Sequence, residues 1–370
     1  MKKPVPAESS GALEKARQAL GALGAALMWA LMCLALSPAI SRAADAGKPR
    51  TMEIHTPSSR VTFINLLCSH IDLDAADYGI KLKNLESDNN PVTQLELLST
   101  SLRRKAADSY VVRPTDGQDV RKLIDLIKPH GMPLIFIAYM PPEEIINRYE
   151  NAWFAGASNV DTAKLLAKAV TDYISAHPDV DQNLNGQVDI LLIRGPVDHQ
   201  DDTARYRELK AALEAAHIKS RFVHEVRGEW YYERAFLYVN KLVEKGQFPD
   251  CDLVVAFNDD MALACIDALE QSEKYDSLPD VPIFSVDGTP EALLAVRRGA
   301  LEATIRQNLE RIAKAVLLIG SGQADMTDKS RLQALSDHRI EDRRVLIDPV
   351  IITHKNVAPY LKQDIPVPAR

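Results

Sequence analysis

Cysteine is scarce in this chain, four in 370 residues, and no two form a CxxC pair. That excludes a disulfide framework and a structural zinc site of the usual spacing. The patterns GxSxG, GxxxxGK[ST], HExxH and GxGxxG are all missing, which removes the usual signatures of serine hydrolases, P-loop enzymes, zinc proteases and dinucleotide binders. There is no basic surplus, since the formal net charge is −7, so a nucleic-acid partner is disfavoured. Beyond the first forty residues or so, no apolar run is long enough to cross a bilayer. What remains is a chain 46% hydrophobic and 26% charged, the balance of a folded globular protein.

The first residues are of a different kind. Lys2, Lys3, Lys15 and Arg17 precede an apolar run from Ala19 to Leu36, then Pro38 and Ser41-Arg42-Ala43. A charged start, an apolar core and a small-residue cleavage pattern predict a signal peptide over residues 1–43, cleaved near Ala43, and hence a periplasmic protein. The alternative is an uncleaved anchor. Residues 1–43 carry five basic and two acidic side chains, so cleavage takes the net charge from −7 to −10. It leaves Cys68, Cys251 and Cys265, enough for one bridge at most.

From there, short apolar runs alternate with amphipathic stretches. Strands are expected at Thr51–His55, Ile80–Leu85, Ala107–Val112, Pro133–Ala138, Val188–Ile193, Ser220–Val226, Leu253–Phe257 and Pro282–Val286. An alternative first strand is Val61–Leu66; with Thr51–His55 preferred, a helix covers Ser58–Tyr78. Asn90-Pro91 reads as an N-cap followed by proline at the first helical position. In Asp201–Ile218, Ala204, Leu209, Ala212, Leu213 and Ala216 form one stripe. Alternating βα units predict an α/β fold with parallel sheets, and there are too many for one sheet.

In such sheets ligands bind beyond the carboxyl ends of the strands. Gly195-Pro-Val-Asp-His199-Gln-Asp201-Asp-Thr-Ala-Arg205 follows one strand, Arg227-Gly-Glu-Trp230 the next, Asn258-Asp-Asp260 another and Asp287-Gly-Thr-Pro a fourth. Planar polar groups that pair with adjacent hydroxyls, with one indole to cover a C–H face, suit a polyhydroxylated ring. Each residue also has a plainer reading: Asn258 or Asp287 as a helix cap, Arg205 as a solvated helix charge, His199 as a loop histidine. Asp201 and Asp287 could in principle be the paired carboxylates of a glycosidase, but hydroxyl binding accounts for them without catalysis.

Asp181-Gln-Asn-Leu-Asn-Gly-Gln-Val-Asp189 has the spacing of a calcium loop. Asp181, Asn183, Asn185 and Asp189 stand at positions 1, 3, 5 and 9, Gly186 at the sharp turn, and Gln187 where a backbone carbonyl binds. Position 12 is Leu192, and a strand follows in place of a helix, so this is no EF-hand. It is a calcium loop closed from elsewhere, or an Asn/Gly turn.

PLIFIAYMPP (133–142), DQNLNGQVDILLIRGPVDHQDDTAR (181–205), LVVAFNDDMALACIDALE (253–270) and IFSVDGTPEALLAVRRGALEATIRQN (283–308) together resemble the periplasmic sugar-binding protein family, most of all its galactose/glucose binders. The resemblance implies a type I periplasmic binding protein, two Rossmann-like lobes with parallel sheets joined by a three-crossing hinge. It puts residues 50–157 and 307–344 in the N-terminal lobe, and 158–306 and 345–370 in the C-terminal lobe. It implies that His199, Asp201, Arg205, Asn258 and Asp287 bind sugar hydroxyls, that Trp230 stacks on the ring opposite Phe63, and that Gln307 is a further polar contact. It also implies a structural Ca²⁺ on the loop, with Asp252 as the closing ligand. The chain departs from the family at Ala138, where an asparagine is usual, and at Ser59-Arg60-Val61, where an acid is usual. The function implied is capture of a monosaccharide or related polyol by a monomer, and its delivery to an ABC permease. The alternative is a sensory receptor presenting a sugar or autoinducer-like ligand to a membrane chemoreceptor or sensor kinase.

Overall fold

A computed structural model describes residues 49–115, 117–272, 281–337 and 339–362. The expected signal peptide (1–43) and the last stretch of the expected C-terminal lobe (363–370) lie outside the described residues. The strands and principal helices, in chain order, are β1 (Arg50–Thr56), α1 (Thr62–Ala75), β2 (Ile80–Glu86), α2 (Pro91–Arg104), β3 (Ser109–Val112), α3 (Val120–Ile127), β4 (Leu134–Ile137), α4 (Glu143–Ile146), β5 (Ala152–Gly156), α5 (Asn159–Ala176), β6 (Val188–Arg194), α6 (Gln200–Ala215), β7 (Ser220–Arg227), α7 (Tyr232–Glu244), β8 (Leu253–Ala256), α8 (Asp259–Glu270), β9 (Ile283–Asp287), α9 (Pro290–Arg298), β10 (Ala303–Arg306), α10 (Leu309–Gly320), α11 (Ser330–Leu335), β11 (Ile340–Glu341), β12 (Arg344–Leu346) and β13 (Val350–Thr353).

The strands form a seven-stranded sheet in the order β11-β12-β5-β4-β3-β1-β2 and a six-stranded sheet in the order β13-β10-β9-β8-β6-β7. Both sheets lie in the second of the chain's two units, Arg50–Arg370. Neighbours are parallel except for β11–β12 and β10–β13. Strands covered on both faces are largely apolar, and β3, β4, β8 and β9 are buried throughout, with Ser109, Ser285 and Asp287 as their polar positions. Helices show which face they bury. In α3, Val120, Leu123, Ile124 and Ile127 make one buried stripe. In α8 nearly every residue is buried, Asp259 and Asp260 of its first turn among them. Asn90 caps α2 through its side-chain oxygen, which accepts from Val92 N and Thr93 N. α10 crosses back onto the first sheet, packing against α1 and sharing a core with Met52, Ile54 and Ile135. Gly320 permits that approach, since a Cβ there would stand 1.9 Å from Met52 Cε.

The first strand is the preferred Arg50–Thr56 segment, but α1 begins only at Thr62, after the bend at Ser59-Arg60. α6 stops at Ala215, which leaves Ala216 of the expected stripe exposed beyond the helix. The chain passes between the sheets three times: between β5 and α5, between β10 and α10, and between β12 and β13. The third passage falls after Leu346, later than the expected 344/345 boundary, because β12 pairs with β5 as far as Leu346–Gly156. Cys68, Cys251 and Cys265 are free thiols. No helix among the described residues is long and apolar enough to cross a membrane.

Candidate functional site

In each sheet the strand order reverses at a defined place, between β1 and β3 in one and between β6 and β8 in the other. A crevice opens beyond the carboxyl ends at such a point. Here the two crevices face each other across one cleft. From the first come Phe63 at the head of α1 and Arg113 just after β3; from the second come His199, Asp201 and Asn258. The lobes touch across the cleft. Thr62 N donates to Asp260 Oδ2 at 3.1 Å, Asn89 Nδ2 to the Tyr231 hydroxyl at 3.1 Å, and Tyr139 meets the His199 ring edge-on. Between them lies a cavity leaving about 70 Å³ within which the centre of a water molecule can move.

All eight residues expected at a ligand site line this cavity. Phe63 is on the first lobe's wall; His199, Asp201, Arg205, Trp230, Asn258 and Asp287 are on the second; Gln307 stands at a crossing. Trp230 is buried and held from three sides. Its carbonyl accepts from Asn258 Nδ2 at 3.2 Å, the Arg205 guanidinium lies 5.4 Å from its ring, and His199 meets it edge-on at 5.4 Å. Gly195 is the seat of the indole: a Cβ there would be 2.2 Å from Trp230 Cζ2. Glu229 and Trp230 both have positive φ, 54° and 72°, so a tight left-handed turn aims the ring inward. Asn258 combines the structural and site readings. Its oxygen caps α8 by accepting from Met261 N, while its amide holds the Trp230 backbone. The helix that begins at Pro290 is capped by Thr289, whose hydroxyl accepts from Ala292 N, and not by Asp287.

Electrostatics separate the polar groups. Arg205 is buried, and its Nη1 donates to the Phe257 carbonyl. Asp287 accepts from Gln307 Nε2 at 3.2 Å. Burial, with Asp259 nearby, pushes the Asp287 carboxyl well above its usual range, and Arg205 opposes the shift. Burial lowers His199 to about 4, with Arg113 and Arg205 adding to the effect and Asp201 opposing it. His199 is therefore neutral at pH 7. Its Nδ1 accepts from Asp201 N at 3.3 Å, capping α6, so the ring proton sits on Nε2.

Three supporting residues were not among those expected from sequence. Asp202 is 1% exposed and takes Arg194 Nε and Nη2, Gly195 N and Arg227 Nη1, pinning the loop that carries His199. Asp259 ties Ser285, Thr289 and Thr304 together beneath Asp287. Arg113 is the third. Among the described residues it is the charged side chain that lines the cavity from the first lobe, beside Val61, Phe63, Ile64, Ala138, Tyr139 and Met140. A strand followed by Arg-Pro reads as a simple strand exit, and only the topology places it on the cleft.

The loop at Asp181–Asp189 has the backbone frame of an ion-binding loop. Asp181 accepts from Asn185 N and Gly186 N, Asn183 from Asn185 N, Asn185 from Gln187 N, and Gly186 has φ 83°. The donor set, as the side chains stand, does not fit a calcium ion. Asp189 is held bidentately by Arg221 at 2.6 and 2.9 Å. Asn183 and Asn185 turn their amide N–H groups toward Asp189. Asp252, expected as the closing ligand, has both oxygens taken by backbone N–H groups, of Gln182 at 3.1 Å and Asp189 at 2.7 Å. Among the described residues no three carboxylate, histidine or cysteine side chains converge as a metal site.

Residues 56–324 match the family model of the periplasmic binding protein domain. The chain is 25% identical over 301 residues to the D-galactose/methyl-galactoside binding periplasmic protein MglB of Haemophilus influenzae, covering 81% of this chain and 88% of that protein. It is 23% identical to a putative rhizopine-binding protein of Rhizobium meliloti, covering 76% of this chain and 82% of that one. Among solved structures it resembles an ABC transporter solute-binding protein of Bacillus halodurans with bound myo-inositol, with a TM-score of 0.64, 21% identity, and coverage of 85% and 98% of the two chains. It also resembles one from Actinobacillus succinogenes with bound D-allose, with a TM-score of 0.66, 16% identity, and coverage of 84% and 100%.

Proposed function

The chain belongs to the periplasmic binding protein domain family, and from that premise we propose that it captures a monosaccharide or related polyol between its lobes and delivers it to an ABC permease. The observation that carries this reading is the convergence of eight polar and aromatic side chains, from both lobes, on one cavity at two facing switch points. The indole supplies a flat apolar face, while Asp201, Asp287, Arg205 and Gln307 offer planar pairs of acceptors and donors at its rim. No nucleophile with an activating base is needed to explain any of them, so the reading is binding without chemistry. Ligand that touches both lobes stabilises the closed arrangement, and the permease recognises that shape. The relatives named for galactosides and rhizopine, and the neighbours with bound inositol and allose, support a small polyhydroxylated ligand.

The test is a thermal-shift screen across neutral sugars, polyols and their acids, followed by calorimetry on every hit. A ligand present at 100 times its Kd stabilises the folded state by about 2.7 kcal/mol, a shift that fluorimetry resolves. Trp230→Ala and Asp287→Ala are each expected to abolish binding of the hit. Unchanged affinity in both variants would remove the site assignment, and no hit across the whole panel would remove the sugar reading itself.

A further inference from the structure

We propose that the ligand is a sugar acid, a polyhydroxylated ring or chain bearing one carboxylate, and that Arg113 receives that carboxylate. The inference rests on the proposed capture of a sugar-like ligand in the same cleft. Among the described residues that line the cavity from the first lobe, Arg113 is the charged one; beside it stand Val61, Phe63, Ile64, Ala138 and Tyr139. Three buried nitrogens at the cavity have no hydrogen-bond partner, namely Nε of Arg113, Nε of Arg205 and Nε2 of His199. With Nδ1 accepting from Asp201 N, the His199 Nε2 carries a proton, so all three are donors. They come from both lobes, and orphaned buried donors are costly until an acceptor meets them.

The unmet donors call for acceptors, and a carboxylate brings two strong ones in one plane. A planar carboxylate also matches the fork of a guanidinium in two parallel hydrogen bonds.

Calorimetry with D-galacturonate, D-glucuronate and D-gluconate, each against its neutral parent sugar, tests the assignment. At least one acid is expected to bind at least tenfold tighter than its parent, with affinity falling as salt rises. Arg113→Gln should shrink that acid-to-parent ratio at least tenfold, and Arg113→Lys should restore part of it. A purely structural role for Arg113 would weaken acid and parent alike. If neutral sugars bind and no acid binds tighter than its parent, the assignment of Arg113 is overturned while sugar capture stands. If neither acids nor parents bind, both fall together.

A separate observation carries a second inference. We infer that the Asp181–Asp189 loop holds its cation as a side chain, with the Arg221 guanidinium standing where a calcium loop places its ion. β6 and β7 pair in a register that sets Arg221 directly opposite Asp189. Asp189 is fully buried, and its two oxygens accept from the Arg221 guanidinium and from both asparagine amides. Thermal unfolding in EGTA and in millimolar Ca²⁺ reads the difference. The unsubstituted protein is expected to melt at the same temperature in both, whereas Arg221→Met melts lower in EGTA and recovers with Ca²⁺. A drop in melting temperature when the unsubstituted protein is placed in EGTA overturns the inference, whether or not the variant folds.

Discussion

Asp259 offers a prediction whose size follows from the structure. Its carboxylate is fully buried and accepts three hydrogen bonds: Oδ2 from Thr289 N at 2.7 Å, and Oδ1 from the hydroxyls of Ser285 at 2.5 Å and Thr304 at 2.7 Å. Burial nevertheless raises its pKa to about 6, against about 3.9 in an unfolded chain. The sign follows from proton uptake. Between about pH 4 and 6 the folded state holds a proton that the unfolded state does not, so this group adds stability as pH falls through its folded pKa. Between pH 7 and 5 that gain is on the order of 1 kcal/mol. Asp259→Asn keeps the geometry. Its oxygen can accept from Thr289 N while its amide donates to the two hydroxyls, which rotate to accept. The variant should therefore lie close to the native protein at pH 7 and miss the gain at pH 5. Asp259→Ala leaves three donors unmet at once and should cost about 3–5 kcal/mol at any pH. Urea unfolding followed by far-UV circular dichroism at pH 5, 6, 7 and 8 measures all three proteins. Other groups also titrate in this range, His199 in the opposite sense, so the quantity to read is the native-minus-Asn difference. If it does not widen by about 1 kcal/mol on acidification, or if Asn costs as much as Ala at pH 7, the account of Asp259 is refuted.

Three further outcomes are expected. Gly195→Ala places a methyl 2.2 Å from Trp230 Cζ2, so the indole must leave its seat and affinity for any sugar found should fall at least tenfold, read by calorimetry. Gly288→Ala meets both a φ of +70° and the backbone of Arg306 at 2.6 Å; urea denaturation should show a loss of about 2 kcal/mol or more. Because His199 must stay neutral for Nδ1 to accept from Asp201 N and so hold the ring in place, and its pKa is lowered to about 4, its contribution to affinity should be flat from about pH 6 to 8 and fall only as pH approaches 4. A decline centred near pH 6.5 would mean that the ring is solvated, contrary to the structure.

The fold was most legible where strands are buried on both faces. Leu253–Phe257 has no polar residue and Val188–Ile193 only Asp189 near its start, so these runs admit few other readings. β5 and the short strands β10 to β13 were not foreseen. β5 is Ala-Trp-Phe-Ala-Gly, too short a run to stand out, and the others are brief or sit at the sheet margins. His199, Trp230, Asn258 and Asp287 were legible because they lie at or within a few positions of a strand's end, where topology sends ligands, whereas Phe63 and Gln307 came from the family resemblance. Arg113 satisfied that rule too, but its neighbour Pro114 disguised it as a turn. The pairing of Asp189 with Arg221 could not be read, because the two are 32 positions apart and only strand register joins them. Asp202 and Asp259 sit beside site residues in sequence, yet face inward, and nothing in the residue types tells which of two adjacent acids faces the core.

The passage of the chain three times between the sheets bears on how the molecule is made. Neither lobe is a continuous stretch of polypeptide. α10 and β12, which cover a face and extend an edge of the first sheet, follow all of β6 to β10 in the chain. A nascent chain that has emerged as far as β10 therefore holds five strands of the first sheet with Met52, Ile54 and Ile135 still lacking their cover of Ile312, Ala313 and Val316. Vectorial folding, lobe by lobe, is closed to such a topology. Completion waits for contacts between segments some 250 residues apart, a slow step by loop-closure entropy, and until then the growing chain presents an open apolar face and the bare edge of β5 to whatever surrounds it.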